Sequence, residues 1–143
     1  MTVNFYEDVD DGLLRFAVII AMTGGKYVFC KHKLRDTLEV PGGHREPGEV
    51  ILETAKRELY EETGAIDYLI EPVCVYSVVS GEGSDKEETF GMLYYAEIRS
   101  FEKDLHSEIE KIVITEEEPE FWTYPKIQPK LLLEAKRRGY LTV

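Results

Sequence analysis

Three glutamates fall within the nine residues from Arg57 to Ala65, Arg-Glu-Leu-Tyr-Glu-Glu-Thr-Gly-Ala, and their spacing points to chemistry. Glu61 and Glu62 follow Glu58 by three and four positions, so on a helix the three carboxylates converge on one face. A merely solvated face gains nothing from this, because each like-charged pair at such spacing costs roughly 0.2–0.5 kcal/mol. A bound Mg2+ or Mn2+ reverses that sign. Both ions take oxygen ligands, retain several waters, and are held by a few carboxylates together with substrate phosphates. Gly42 and Gly43, ahead of the helix, suit a backbone carbonyl brought close enough to complete the site. Arg57, four residues from Glu61 and four from Glu53, is placed to clamp carboxylates in fixed orientations.

A helix must carry these groups. The spacing predicts one from Glu49 to Glu62, with Pro47 and Gly48 before it and Gly64 after it as start and stop signals. Leu52, Ala55 and Leu59 form its apolar stripe, with the glutamates within about 100° of arc beside it. The sheet beneath is predicted from β-branched and aromatic runs. Residues 15–22 and 27–33 form an antiparallel hairpin about Gly24-Gly25. Residues 37–43 form a short strand ended by Pro41 and two glycines, in a loop needing positive φ or close backbone approach. Residues 66–80 and 88–100 form a second hairpin around a polar tip, 109–115 a further strand, and 128–139 a final helix capped by Gly139. The expected fold class is α/β (α+β): one domain over 1–143, with a mixed β-sheet sandwiched between helices.

Composition limits the partners. The chain has 143 residues, 43% of them apolar, enough for one substantial core. Its net charge of −11 argues against duplex DNA or anionic lipid, which need cationic surface. The longest apolar run, Phe16 to Met22, has seven residues, whereas a bilayer span takes about 20. The acidic N-terminus lacks a signal layout, so a cytoplasmic address is expected, with no nucleic acid or membrane partner. Cys30 and Cys74 have neither metal nor redox spacing and read as buried free thiols.

The stretch Gly43–Ala65 resembles the Nudix box, in which a glycine, a glutamate and an Arg-Glu-apolar-any-Glu-Glu-any-Gly run recur at fixed spacing. Gly43, Glu49, Arg57, Glu58, Leu59, Glu61, Glu62 and Gly64 all fall in place; Ala65 departs, a larger aliphatic residue being usual. The resemblance implies hydrolysis of a pyrophosphate linkage in a nucleoside diphosphate derivative, with Mg2+ or Mn2+ as cofactor. It further implies that Glu58 and Glu62 are metal ligands and that Glu61 is a ligand or the base acting on water. The Gly42 carbonyl would be a backbone ligand, Glu49 an outer ligand or loop brace, and Arg57 the residue orienting the glutamates.

In this family a base can also lie on a later loop. The glutamate-rich stretch from His106 offers Glu108. Arg35, before the strand entering the glycine loop, matches a common position for a phosphate-binding arginine, and Gly43 joins it on the substrate side. His32 shares strand parity with Val28 and Cys30 and reads as structural. Tyr76, Phe90, Tyr94, Tyr95 and Trp122 could stack a base but read as core. By analogy with small members, the expected substrate is a nucleoside triphosphate, oxidised ones included. ADP-ribose or an NDP-sugar, or a sensing module without turnover, are the alternatives, in a monomer or homodimer.

Overall fold

The computed structural model describes residues 1–104 and 108–141; His106 and Ser107, at the head of the glutamate-rich stretch, lie outside the described residues. The strands are β1 (Thr2–Tyr6), β2 (Leu14–Thr23), β3 (Lys26–His32), β4 (Gly42–His44), β5 (Ala65–Ser80), β6 (Glu87–Phe101) and β7 (Ile109–Thr115). The helices are α1 (Ile51–Thr63) and α2 (Gln128–Arg137). The seven strands form one sheet in the order β1-β5-β6-β2-β3-β7, with β4 beside β2. Among the described strands only β2 and β6 pair in parallel, so the sheet is mixed as expected.

Alternation along the strands sends successive side chains to opposite faces. On one face Ala17, Ile19, Val28, Tyr94 and Ile98 pack against Ala55 and Leu59 of α1. On the other, Ile20, Phe29, Tyr76 and Leu93 pack against Leu131, Leu132 and Ala135 of α2. The sandwich between helices is therefore real. The two cysteines are buried free thiols, and burial pushes the thiol pKa well up at Cys30 and to about 11 at Cys74.

Four details differ from expectation. Strand β1 was unanticipated; it is a short edge strand paired with β5. Gly42 and Gly43 belong to β4 rather than ending a strand, and neither has positive φ. Helix α1 begins at Ile51 rather than Glu49, and Gly64 ends it in the left-handed conformation at φ 77°. Leu52 is 38% exposed, because the buried stripe runs through Ile51, Ala55 and Leu59 at four-residue intervals and leaves Leu52 about 100° further round.

The hairpin pair β2 and β3 stays together only near its turn, at Met22–Tyr27 and Thr23–Lys26. Beyond it the strands part, and residues 39–44 fill the fork. Glu39 bridges to Cys30 of β3, the Ile19 amide donates to Pro41 O at 2.9 Å, and β4 pairs with Phe16–Val18 of β2. The glycine segment is thus built into the sheet, so the site rests on rigid backbone.

Truncating Leu59 to Ala should cost about 2–5 kcal/mol in chemical denaturation, whereas Leu52→Ala should cost under about 1 kcal/mol. Equal losses would contradict the orientation of α1.

Candidate functional site

Strand β4 is wedged between β2 and helix α1 with no room for side chains on its glycines. A Cβ at Gly42 would sit 2.6 Å from the Ala17 carbonyl oxygen and 3.0 Å from Val18 Cα. A Cβ at Gly43 would meet the Glu58 carboxylate carbon. Close approach, not positive φ, explains both residues. It brings the Gly42 amide to Glu62, where it donates to Oε1 at 2.7 Å.

Arg57 ties the carboxylates together. Its Nε donates to Glu49 Oε2 at 2.7 Å and its Nη1 to Glu58 Oε1 at 2.7 Å, with Glu61 Oε2 at 3.4 Å. Its Nη2 reaches His44 O at 2.9 Å and Glu49 Oε1 at 3.1 Å. The guanidinium therefore turns toward Glu49 and β4 and makes no pair with Glu53, contrary to the helical spacing argument. Glu49 also accepts the Glu46 amide at 2.9 Å and the Thr54 hydroxyl at 2.8 Å. Arg57 first, then that amide, hold the Glu49 carboxyl pKa down at about 2. Both Glu49 oxygens are thus committed to Arg57 and to the loop and first turn of α1.

Glu58 and Glu62 lie in a different environment. Burial raises the Glu58 carboxyl above its ordinary range even with Arg57 against it. Burial pushes Glu62 up to about 8, the Gly42 amide opposing and Glu58, Glu39 and Glu61 adding to the rise. A buried, underpaired carboxylate favours either a proton or a cation. The Glu61 side chain is 46% exposed, on the solvent side of Arg57. Among the described residues no three His, Cys, Asp or Glu side chains already enclose a common ion position; Glu62 and Glu58 meet successive residues of β4.

Gly42, Gly43 and Glu62 open into a cleft of about 400 Å³. Its walls come from Phe16 and Val18 of β2, Tyr76 and Val78 of β5, and Gln128 and Leu131 of α2. Arg35 and Glu108 line the same cleft. Arg35 donates to Glu39 Oε1 at 3.2 Å and to the Tyr124 hydroxyl at 3.3 Å. Glu108 is held twice at the end of β3: its carbonyl accepts the Lys33 amide at 2.9 Å, and its Oε2 lies 3.0 Å from His32 Nε2. His32 Nδ1 accepts the Leu34 amide at 3.2 Å, so in the neutral ring Nε2 carries the proton and donates to Glu108. Of the five aromatic residues considered for base stacking, Tyr76 reaches the cleft; Tyr94 is core, and Trp122 stands edge-on to Phe29 at 5.5 Å.

Sequence reasoning missed Glu39, Arg45, Phe16 and Gln128. Glu39, 8% exposed, is a charged residue between apolar Leu38 and Val40, a signal that was readable. Arg45 braces the loop by donating to Glu49 O at 2.8 Å and Asp11 Oδ2 at 2.8 Å, a pairing that nothing local announces.

The NUDIX domain family model matches residues 13–140, and the chain belongs to that family. It is 35% identical over 85 residues to YtkD of Bacillus subtilis (strain 168), a protein provisionally named an 8-oxo-dGTP diphosphatase. That match covers 59% of this chain and 51% of YtkD, so the chain spans about half the length of the curated relative it matches. Among solved structures, a variant of the Bacillus subtilis pyrophosphohydrolase BsRppH superposes with a TM-score of 0.79 at 28% identity, covering 97% of this chain and 92% of that one. A NUDIX hydrolase from Nitrosomonas europaea, 20% identical, shares the fold with a TM-score of 0.67 over 87% of this chain and 89% of that one. Among the described residues no helix is long and apolar enough to cross a membrane.

The two glycines should separate folding from function. Gly42→Ala forces backbone against backbone and should cost about 1–3 kcal/mol of stability. Gly43→Ala meets only the movable end of Glu58, so its melting temperature should stay near wild type while Mn2+ affinity, read by electron paramagnetic resonance, falls about tenfold or more. Wild-type Mn2+ affinity in Gly43→Ala would contradict the geometry.

Proposed function

We propose that this chain is a divalent-cation-dependent hydrolase that cleaves a pyrophosphate linkage in nucleoside triphosphates, oxidised ones included. The observation that carries the reading is the half-buried, underpaired Glu62 beside Glu58 and Gly42 at the head of a nucleotide-sized cleft. The similarity to a pyrophosphohydrolase over 97% of the chain supports it.

Members of the family generally need a divalent cation, and the donor set here fits one: hard carboxylate and carbonyl oxygens, with burial holding two carboxyls above their ordinary range. Glu58, Glu62 and the Gly42 carbonyl would hold Mg2+ or Mn2+, which would neutralise phosphate charge and polarise the phosphoryl centre. The chain's own residues do the rest. Arg57 fixes the orientation of Glu58 and, through Glu49, the path of the loop. Arg35, drawn to the cleft mouth by Tyr124 and Glu39, meets the phosphates. Gly43 leaves room for the Glu58 carboxylate against the β4 backbone, which supports a role on the metal side in place of the substrate contact expected from the sequence. Glu108, oriented by the Nε2 proton of His32, takes the proton from attacking water; Glu61 is the second candidate for that role or a further ligand.

A panel of nucleotides assayed for phosphate or pyrophosphate release with Mg2+ or Mn2+ tests this. Hydrolysis should vanish in chelator, and Glu62→Gln should lower kcat about 100-fold or more. Undiminished turnover in chelator or in Glu62→Gln would overturn the reading.

A further inference from the structure

Gln128, the first residue of α2, is 6% exposed and lines the cleft. Its Oε1 accepts the Val40 amide at 2.9 Å. A backbone N–H can only donate, so this bond dictates which end of the carboxamide faces Val40 and turns the Nε2 amino group the other way. Among the described residues Nε2 has no protein acceptor, yet no buried side-chain nitrogen or oxygen there lacks a partner. Nε2 must therefore touch solvent, and for a residue enclosed on its other sides that solvent is the cleft's.

The cleft that Gln128 lines has an apolar wall of Phe16, Val18, Tyr76, Val78 and Leu131, and carries its charged groups at Arg35, Glu39, Glu62 and Glu108. With Arg35 serving the phosphates, a neutral donor locked from behind in a cleft with this apolar wall suits a flat ring with a hydrogen-bonding edge. A keto oxygen on that ring accepts from Nε2. An amino group at the same place would set donor against donor and leave both unpaired out of water.

We propose that Gln128 reads the base, selecting nucleotides that present a keto oxygen where adenine and cytosine carry an amino group. This rests on the nucleotide reading above. Glu at the same position would keep an oxygen on Val40 and turn the other oxygen, an acceptor, into the cleft.

The test compares kcat/KM for GTP against ATP, ITP against ATP, and UTP against CTP. Calorimetric Kd values for nonhydrolysable GTP and ATP analogues accompany it, in wild type, Gln128→Glu and Gln128→Met. The keto member should be favoured about tenfold or more in wild type; Gln128→Glu should erase or invert the ratio, and Gln128→Met should bring it near one. ITP behaving like GTP places the discrimination at the keto position and not at the 2-amino group of guanine. A flat pyrimidine pair with selective purine pairs supports the assignment for purines. A wild-type ratio near one, or an unchanged ratio in Gln128→Glu, overturns it, and Gln128→Met decides if the Glu variant does not fold. Keto-selective binding without turnover would sink the hydrolase reading while leaving this assignment standing; binding of neither analogue would sink both.

Discussion

One guanidinium holds the site together. Arg57 is in contact with Glu49, Glu58 and Glu61 and with the His44 carbonyl, joining the loop before α1, the helix and β4. An exposed ion pair contributes little, up to about 1 kcal/mol. This one is largely sheltered, with the Arg57 side chain 23% exposed, and it is two-pronged at Glu49. It partly offsets the repulsion that Glu58, Glu61 and Glu62 impose on one helical face. Glu62 is the carboxylate it does not reach, and burial leaves that group the most perturbed of the set.

The second constraint is the fork between β2 and β3. A fully paired hairpin would leave no gap in the sheet. Because the strands part beyond Met22–Tyr27, residues 39–44 can enter and bond to both sides. Gly42 lets β4 pack on β2, and Gly43 lets α1 approach until Glu58 and Glu62 meet the β4 backbone. The same divergence leaves the cleft on the α2 side, so the anionic end and the apolar wall belong to one cavity.

Much of this was legible in the sequence because it is local and periodic. The carboxylate face of α1, its stop at Gly64 and most strands follow from spacing alone. Gly42 and Gly43 were recognisable as special, but a glycine needed for φ and one needed for close approach look identical until the neighbour is known. Leu52 misled because the helical period fixes a stripe only to within about one residue. Strand β1 is a short uncharged run just ahead of the acidic stretch 7–11, and its partner lies some seventy residues away, Thr2 pairing with Val79. His32 with Glu108 and Val40 with Gln128 are likewise joined only by the fold. A glutamine opening a helix reads as ordinary polar surface, and only the Val40 amide gives it a direction.

In the proposed function, Glu58, Glu62 and the Gly42 carbonyl are gathered to hold a doubly charged ion. Crystals grown with Mn2+ and a nonhydrolysable nucleoside triphosphate analogue test it most directly, through anomalous scattering at the manganese edge. A peak is expected at ligand distance from both carboxylates and that carbonyl. A fully occupied analogue with no peak there would contradict it.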